Sequence, residues 1–403
     1  MIQKLKSNKE VIEMAEKYLY GNHARMPLSV DRGEGCYVWD LDGNKYLDFV
    51  GGIAVNGLGH KHPAIVKALQ ERMDTILHCS NYFYNESAVQ LAKLICDNSC
   101  FDKVLYANSG AEANEALIKL SRKYQKDHGH PERFTVLSME MSFHGRTLAT
   151  CAATGQDKIQ KGFEPMPEGF KYAKFNDLED VKSKVTDDVA SILVEPVQGE
   201  GGVLPAKKEF LEGLRKLCDE KSLLLLFDEV QVGCGRTGKL FAHQVYGVEP
   251  DAISMAKELG SGVPIGAIAT RGDASTTLTP GTHGSTYAGN PLVTSVALAT
   301  LDTMINGGVL ENCEKMGEYM RKRLEEVAKK HKGVEEVRGL GLINGMVLNK
   351  DGHEVVDFCF KKGVLINCTA VSVLRFVPPI IATEKEIDEV VDTVDEALTA
   401  CGF

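Results

Sequence analysis

From about residue 104 the chain alternates short apolar runs with amphipathic stretches. VLYANS (104–109), RFTVLSM (133–139), SILVEPV (191–197), LLLLFDEV (223–230) and AIAT (267–270) read as strands, and AEANEALIKLSRKYQ and EFLEGLRKLCDEK as helices between them. Alternating β and α units predict a mostly parallel sheet covered by helices, that is, an α/β fold. A run such as LLLLF fits a strand buried on both faces, because such a strand cannot alternate apolar with polar residues. Ahead of this region, CYVWDLDGNKYLDF (36–49) predicts two short strands around Asp42-Gly43, a dipeptide suited to a tight hairpin turn. Beyond about residue 300 the pattern changes to a long charged helix, ENCEKMGEYMRKRLEEVAKKH, a glycine-punctuated strand region, VRGLGLINGMVL, and a last strand and helix. This texture predicts a smaller α+β lobe. The expected organisation is an N-terminal segment with the hairpin (1–60) that joins the small lobe, a large domain (61–300) and a C-terminal small domain (301–403).

Composition narrows the function classes. The chain has 403 residues, 43 % of them hydrophobic and 25 % charged, the balance of a globular protein with a large core. Lys and Arg number 46 against 56 Asp and Glu, a net charge of −10. No basic face advertises a nucleic-acid partner. The N-terminal residues mix charge into every turn and lack the apolar core of a signal peptide, and the longest aliphatic run, Leu223 to Phe227, is too short for a bilayer. The expectation is a cytoplasmic protein with no membrane partner and with its eleven cysteines reduced, since no CxxC pair occurs. His60 and His62 in GHKHP lack a third ligand nearby and read as a loop leading into a helix, so no metal site is expected.

Three segments carry candidate chemistry. YANSGAEANEALIKL joins a strand to a helix through Ser109-Gly110-Ala111; free N–H groups and the positive dipole end there suit a phosphate, although taken alone Ser109 reads first as a helix cap. In LLLLFDEVQVG the strand ends in Asp228-Glu229, and adjacent strand residues face opposite ways, so one carboxylate enters a site while the other turns away. A carboxylate at the exit of a buried strand needs a cationic partner: a metal, an arginine or a protonated ring nitrogen. In DAISMAKELGSGVPIGA, Lys257 follows a short apolar strand; held there it is either a surface lysine or an amine freed by desolvation to form a Schiff base.

The strings NSGAEANEA, SFHGRT, EPVQGEGG, FDEVQVGCGRTG, DAISMAKELGSGVPIGA, GTHGSTYAGNP and LRFVPP occur in the order and spacing of the class-III, pyridoxal-phosphate-dependent aminotransferases, and the resemblance runs from GEGCYVWDLDGNKYLDF nearly to the end. It implies the fold-type-I, aspartate-aminotransferase-like architecture and a homodimer with sites at the subunit interface. Position by position, Lys257 resembles the lysine that bonds pyridoxal 5'-phosphate and then shuttles the proton, and Asp228 the carboxylate that pairs with the pyridine nitrogen. Ser109, Gly110 and Ala111 match the phosphate turn, and Thr286 the residue reaching that phosphate from the partner subunit. Phe143 matches the aromatic stacked on the ring and Gln231 the side chain near its phenolic oxygen. His144 receives no role.

Substrate handling falls to Arg146, Glu200 and Arg375. A lone arginine inside the apolar strand SVLRFVPP needs a bidentate anion to offset its desolvation, and the α-carboxylate of an amino or keto acid supplies one. The resemblance implies that Arg375 binds the carboxylate of glutamate or 2-oxoglutarate, that Glu200 pairs with Arg375 in the other half-reaction, and that Arg146 takes the carboxylate of the ω-amino donor. HCSNYFYNESA and INCTAVSVLRFVPPI are most similar to the acetylornithine aminotransferase group, which implies N2-acetylornithine as donor and a place in arginine biosynthesis. A 4-aminobutyrate or ornithine δ-aminotransferase, or a catalytically silent protein of the same fold, are the alternatives. Three features depart from the family's usual pattern: Glu258 just after the lysine, Ala288 where a glycine is usual, and the segment GNHARMP.

Overall fold

Strands form where the apolar runs predict them. The computed structural model describes residues 4–403. In chain order its strands are β1 (Val30–Glu34), β2 (Tyr37–Asp40), β3 (Lys45–Asp48), β4 (Lys103–Ala107), β5 (Thr135–Met139), β6 (Phe170–Ala173), β7 (Val189–Val194), β8 (Val197–Gln198), β9 (Leu204–Pro205), β10 (Leu224–Asp228), β11 (Ala252–Met255), β12 (Gly266–Thr270), β13 (Val334–Leu340), β14 (Ile343–Leu348), β15 (Val364–Leu365), β16 (Asn367–Thr369) and β17 (Val373–Phe376). A seven-stranded sheet of order β4-β12-β11-β10-β7-β5-β6 forms the centre.

That sheet is mostly parallel, as predicted, with β12 alone reversed between β11 and β4. The reversal has a local cause. Only residues 256–265 join β11 to β12, and a parallel crossover needs a dozen residues or more, so the chain returns antiparallel. Lys257 sits on that short connection.

Strands β7 and β10 are buried at every position. Their side chains divide between the two faces of the sheet. Leu224 and Leu226 pack with Ala113, Leu117 and Leu120 of the helix Gly110–Asp127, while Leu225 and Phe227 join the larger core on the opposite face.

The C-terminal region builds the antiparallel sheet β13-β14-β17-β16, which sets Arg375 on β17 opposite Gly345 on β14 and Asn367 on β16. The hairpin β2–β3 forms as predicted, and β3 pairs in parallel with β15, so the N-terminal strands share a sheet with the C-terminal region. His62 Nδ1 accepts the Ala64 N–H at 3.3 Å and caps the helix Pro63–Met73, the role predicted for that loop. Among the described residues no group of His, Cys, Asp and Glu is placed to hold a metal ion, and no single helix is long and apolar enough to cross a membrane.

Candidate active site

The carboxyl ends of β4, β5, β7, β10 and β11 lie along one edge of the central sheet, where ligands of such sheets bind. A cavity of about 480 Å³ opens there. It gathers Ser109, Gly110, Ala111, Phe143, Arg146, Asp228, Gln231 and Lys257 around one space, residues up to 148 positions apart in the chain.

The helix Gly110–Asp127 points its N-terminus at this space. Ser109 is its cap, with Oγ accepting the Glu112 N–H at 3.2 Å. The side chain is therefore used by the helix, and the N–H groups of Gly110 and Ala111 are left for a ligand. Glycine is required at 110, because a Cβ would come within 2.6 Å of Val230 Cγ1.

Asp228 closes β10 with its carboxylate 4 % exposed. Oδ2 accepts from Asn114 Nδ2 at 2.7 Å and pairs with His144 Nδ1 at 2.8 Å; Oδ1 accepts the Val230 N–H at 3.0 Å. Among the described residues no arginine pairs with it and its neighbours do not form a set of metal ligands, so of the three cationic partners considered from the sequence a protonated ring nitrogen in the cavity is the one these surroundings suit. Glu229 turns away as predicted. It accepts the N–H groups of Ala242 and His243, and burial pushes its carboxyl up to about 7. His144 and Asn114 went unassigned in the sequence; each is buried and keeps one unpaired polar atom, Nε2 and Oδ1. The available signal was a polar residue on the apolar face of a helix and a histidine beside the ring-stacking candidate.

Lys257 follows β11 in a left-handed backbone conformation, φ +43°. Desolvation pushes its ammonium below the ordinary lysine pKa, while the carboxylates of Glu200, Asp228 and Glu195 pull the other way. Glu195, also unforeseen, lines the cavity, accepts the Phe143 N–H at 3.0 Å, and is raised well above the carboxylate range by burial and then by Asp228. Phe143 presents its ring to the cavity with the Arg146 guanidinium 5.5 Å from its centroid.

Arg375 is 1 % exposed and finds the anion its burial demands within the protein: Nη1 donates to Glu200 Oε1 at 2.6 Å. Gln231 Oε1 also accepts from Nη1, at 3.2 Å, and Asn367 Oδ1 accepts from Nε at 3.2 Å. Gln231 is thus engaged by the arginine at one end of the cavity. Burial would raise the Glu200 carboxyl, but the pull of Arg375 holds it below its ordinary value. Thr286 is the one predicted residue outside this group. It is exposed on a loop whose Ser285 Oγ accepts from Asn108 Nδ2 at 2.7 Å.

These surroundings fit pyridoxal phosphate. An amine with a depressed pKa, a fixed carboxylate, an aromatic face and helix N–H groups surround one space of suitable size. The family profile "Aminotransferase class-III" matches residues 19–398. An acetylornithine aminotransferase of Caldanaerobacter subterraneus is 48 % identical over 98 % of this chain and 100 % of its own length. A succinylornithine transaminase/acetylornithine aminotransferase of Pseudomonas aeruginosa is 44 % identical over 95 % of each. Among solved structures, an ornithine aminotransferase from Toxoplasma gondii superposes with a TM-score of 0.95 at 32 % identity, over 99 % of this chain and 96 % of that one.

Proposed function

Since the chain belongs to the class-III aminotransferases, and so is a pyridoxal-phosphate-dependent transaminase of fold type I, we propose that it transfers the ω-amino group of N2-acetylornithine to 2-oxoglutarate. The products are N-acetylglutamate semialdehyde and glutamate. The observation that carries the reading is the Arg375–Glu200 pair, which acts electrostatically on the Lys257 amine and is joined to the lining of its cavity through Gln231. With Arg375 neutralised from within, the site accepts an amine whose reacting end bears no carboxylate; with Glu200 displaced, it accepts glutamate.

When bound, the cofactor supplies a carbonyl for a primary amine and a protonated ring that accepts an electron pair. The chain does the rest. Gly110 and Ala111 N–H groups would hold the phosphate, with Ser109 fixing their turn. Asp228, oriented by Asn114, His144 and the Val230 N–H, would keep the ring nitrogen protonated. Phe143 would cover the ring, its backbone fixed by Glu195, and Gln231 would stand at the phenolic edge. Lys257 Nζ, deprotonated more readily than an ordinary lysine, would take the proton from the amine-bearing carbon and return it. Arg146, exposed beside Phe143, would receive the carboxylate of N2-acetylornithine, and Arg375 the α-carboxylate of glutamate or 2-oxoglutarate.

We read the working unit as a homodimer in which Thr286 completes the phosphate site of the partner, and the role as a cytoplasmic step of arginine biosynthesis. The exposure of Thr286 and of Tyr82, Phe83, Tyr84 and Tyr287 supports a covered face there. Domain limits at about residues 60 and 300 belong to the same reading. The test is kcat/KM for N2-acetylornithine, ornithine and 4-aminobutyrate with 2-oxoglutarate as acceptor. A preference for N2-acetylornithine supports the assignment, and a preference for either other amine overturns it.

A further inference from the structure

Arg236 is fully buried, and every one of its contacts is specific. Nε donates to Glu258 Oε1 at 2.8 Å and Nη2 donates to the same oxygen, while Nη1 donates to the Leu342 carbonyl at 2.8 Å and the Pro378 carbonyl at 2.5 Å. Glu258 is 2 % exposed and its second oxygen has no partner. Burying such a pair is a weak way to gain stability, since desolvation offsets most of the attraction. Its placement gives it another use.

Glu258 is bonded to Lys257, on the short turn between β11 and β12. Leu342 immediately precedes β14, and Pro378 follows the end of β17 at Phe376; these are the two strands that pair across Arg375. The guanidinium therefore ties the turn carrying the amine to the strand that carries the carboxylate-binding arginine and to its neighbour β14. The turn is under backbone strain, with Lys257 at φ +43° and Ser261 also at +43°. Gly57 leaves the space Glu258 occupies, because a Cβ at 57 would lie 3.0 Å from Oε1.

We propose that the Arg236–Glu258 pair is a positioning clamp that fixes the Lys257 amine relative to the Arg375 guanidinium, and so sets the amine-to-carboxylate spacing that the site accepts. This rests on the assignment of Lys257 and Arg375 above. The substituted position after the lysine, a departure from the family's usual pattern, then has a physical role: it supplies the carboxylate end of the clamp.

The test uses Glu258→Gln, which removes the charge, and the double variant Arg236→Met/Glu258→Leu, which leaves no stranded ion and guards against simple unfolding. Two readouts separate positioning from general support. The first is the affinity of the apo-protein for pyridoxal phosphate and for pyridoxamine phosphate, which enters the same cavity without bonding Lys257. We expect at least a tenfold loss for pyridoxal phosphate and none for pyridoxamine phosphate. The second is the half-reaction with glutamate against 3-aminoglutarate, in which each carboxylate lies one CH2 from the amine-bearing carbon, where glutamate has one directly on that carbon and one two CH2 groups away; the wild-type preference for glutamate should fall at least tenfold in the variants. Equal losses for both cofactor forms, or none, together with an unchanged preference in a folded variant, would overturn the clamp. Failure of the wild-type protein to react with glutamate would instead refute the assignment of Arg375, and the comparison of the two cofactor forms would still judge the clamp's hold on Lys257.

Discussion

Replacing Glu200 by Gln removes the one carboxylate that, among the described residues, forms an ion pair with Arg375. The pair is close, 2.6 Å between Oε1 and Nη1, whereas the neutral partners Asn367 and Gln231 each stand at 3.2 Å. Stranding a fully buried charge costs about 3–5 kcal/mol. Glu200 is 31 % exposed at its side chain, so water recovers part of the loss and roughly 2 kcal/mol remains. On the proposed reading, the α-carboxylate of glutamate must first displace Glu200 in the wild type, whereas in Glu200→Gln it meets an unpaired guanidinium. Binding of glutamate should tighten by up to about 30-fold, each tenfold being about 1.4 kcal/mol. N2-acetylornithine has no carboxylate at its reacting end and must bind beside an uncompensated cation, so its apparent affinity should fall. Single-turnover absorbance of the two half-reactions, at several concentrations of each amine, separates affinity from rate. A similar change for both substrates would refute the switch.

Asp228→Asn keeps the shape and two of the hydrogen-bond partners but removes the charge; kcat should fall about 10²–10³-fold with cofactor binding largely retained, measured by turnover and by equilibrium titration. Arg375→Lys loses the planar fork and should raise KM for 2-oxoglutarate about 10-fold or more, with N2-acetylornithine less affected in its half-reaction. Because burial lowers the Lys257 pKa, the unfolded chain binds more protons than the folded one between that lowered value and the ordinary lysine value of about 10.5. Stability of the apo-protein should therefore rise with pH through that window, and Lys257→Met should flatten the slope in thermal denaturation at stepped pH.

Much of the site was legible because single residues violated their surroundings. Arg375 stood out as a guanidinium in an apolar strand, and Asp228 as a carboxylate ending LLLLF; burial forces such groups to have partners. Which partners they have was a matter of folding distance. His144 and Asn114 meet Asp228 across 84 and 114 residues, and neither position carries a local pattern that says so. Glu258 was visible as a departure, but its partner Arg236 lies 22 residues earlier and at the far side of a turn. Pairing of β3 with β15 joins opposite ends of the chain, and periodicity alone does not encode it. The reversed β12 is a case where the sequence did hold the answer, in the shortness of its connection.

The central claim is that Lys257 is the amine that bonds the cofactor in this cavity. Borohydride reduction of the protein loaded with pyridoxal phosphate, followed by peptide mass mapping, tests it most directly. The account predicts a single phosphopyridoxyl label on Lys257, lost from a sample first exhausted with N2-acetylornithine. A label on another lysine, or none at all on a protein that binds the cofactor, would contradict it.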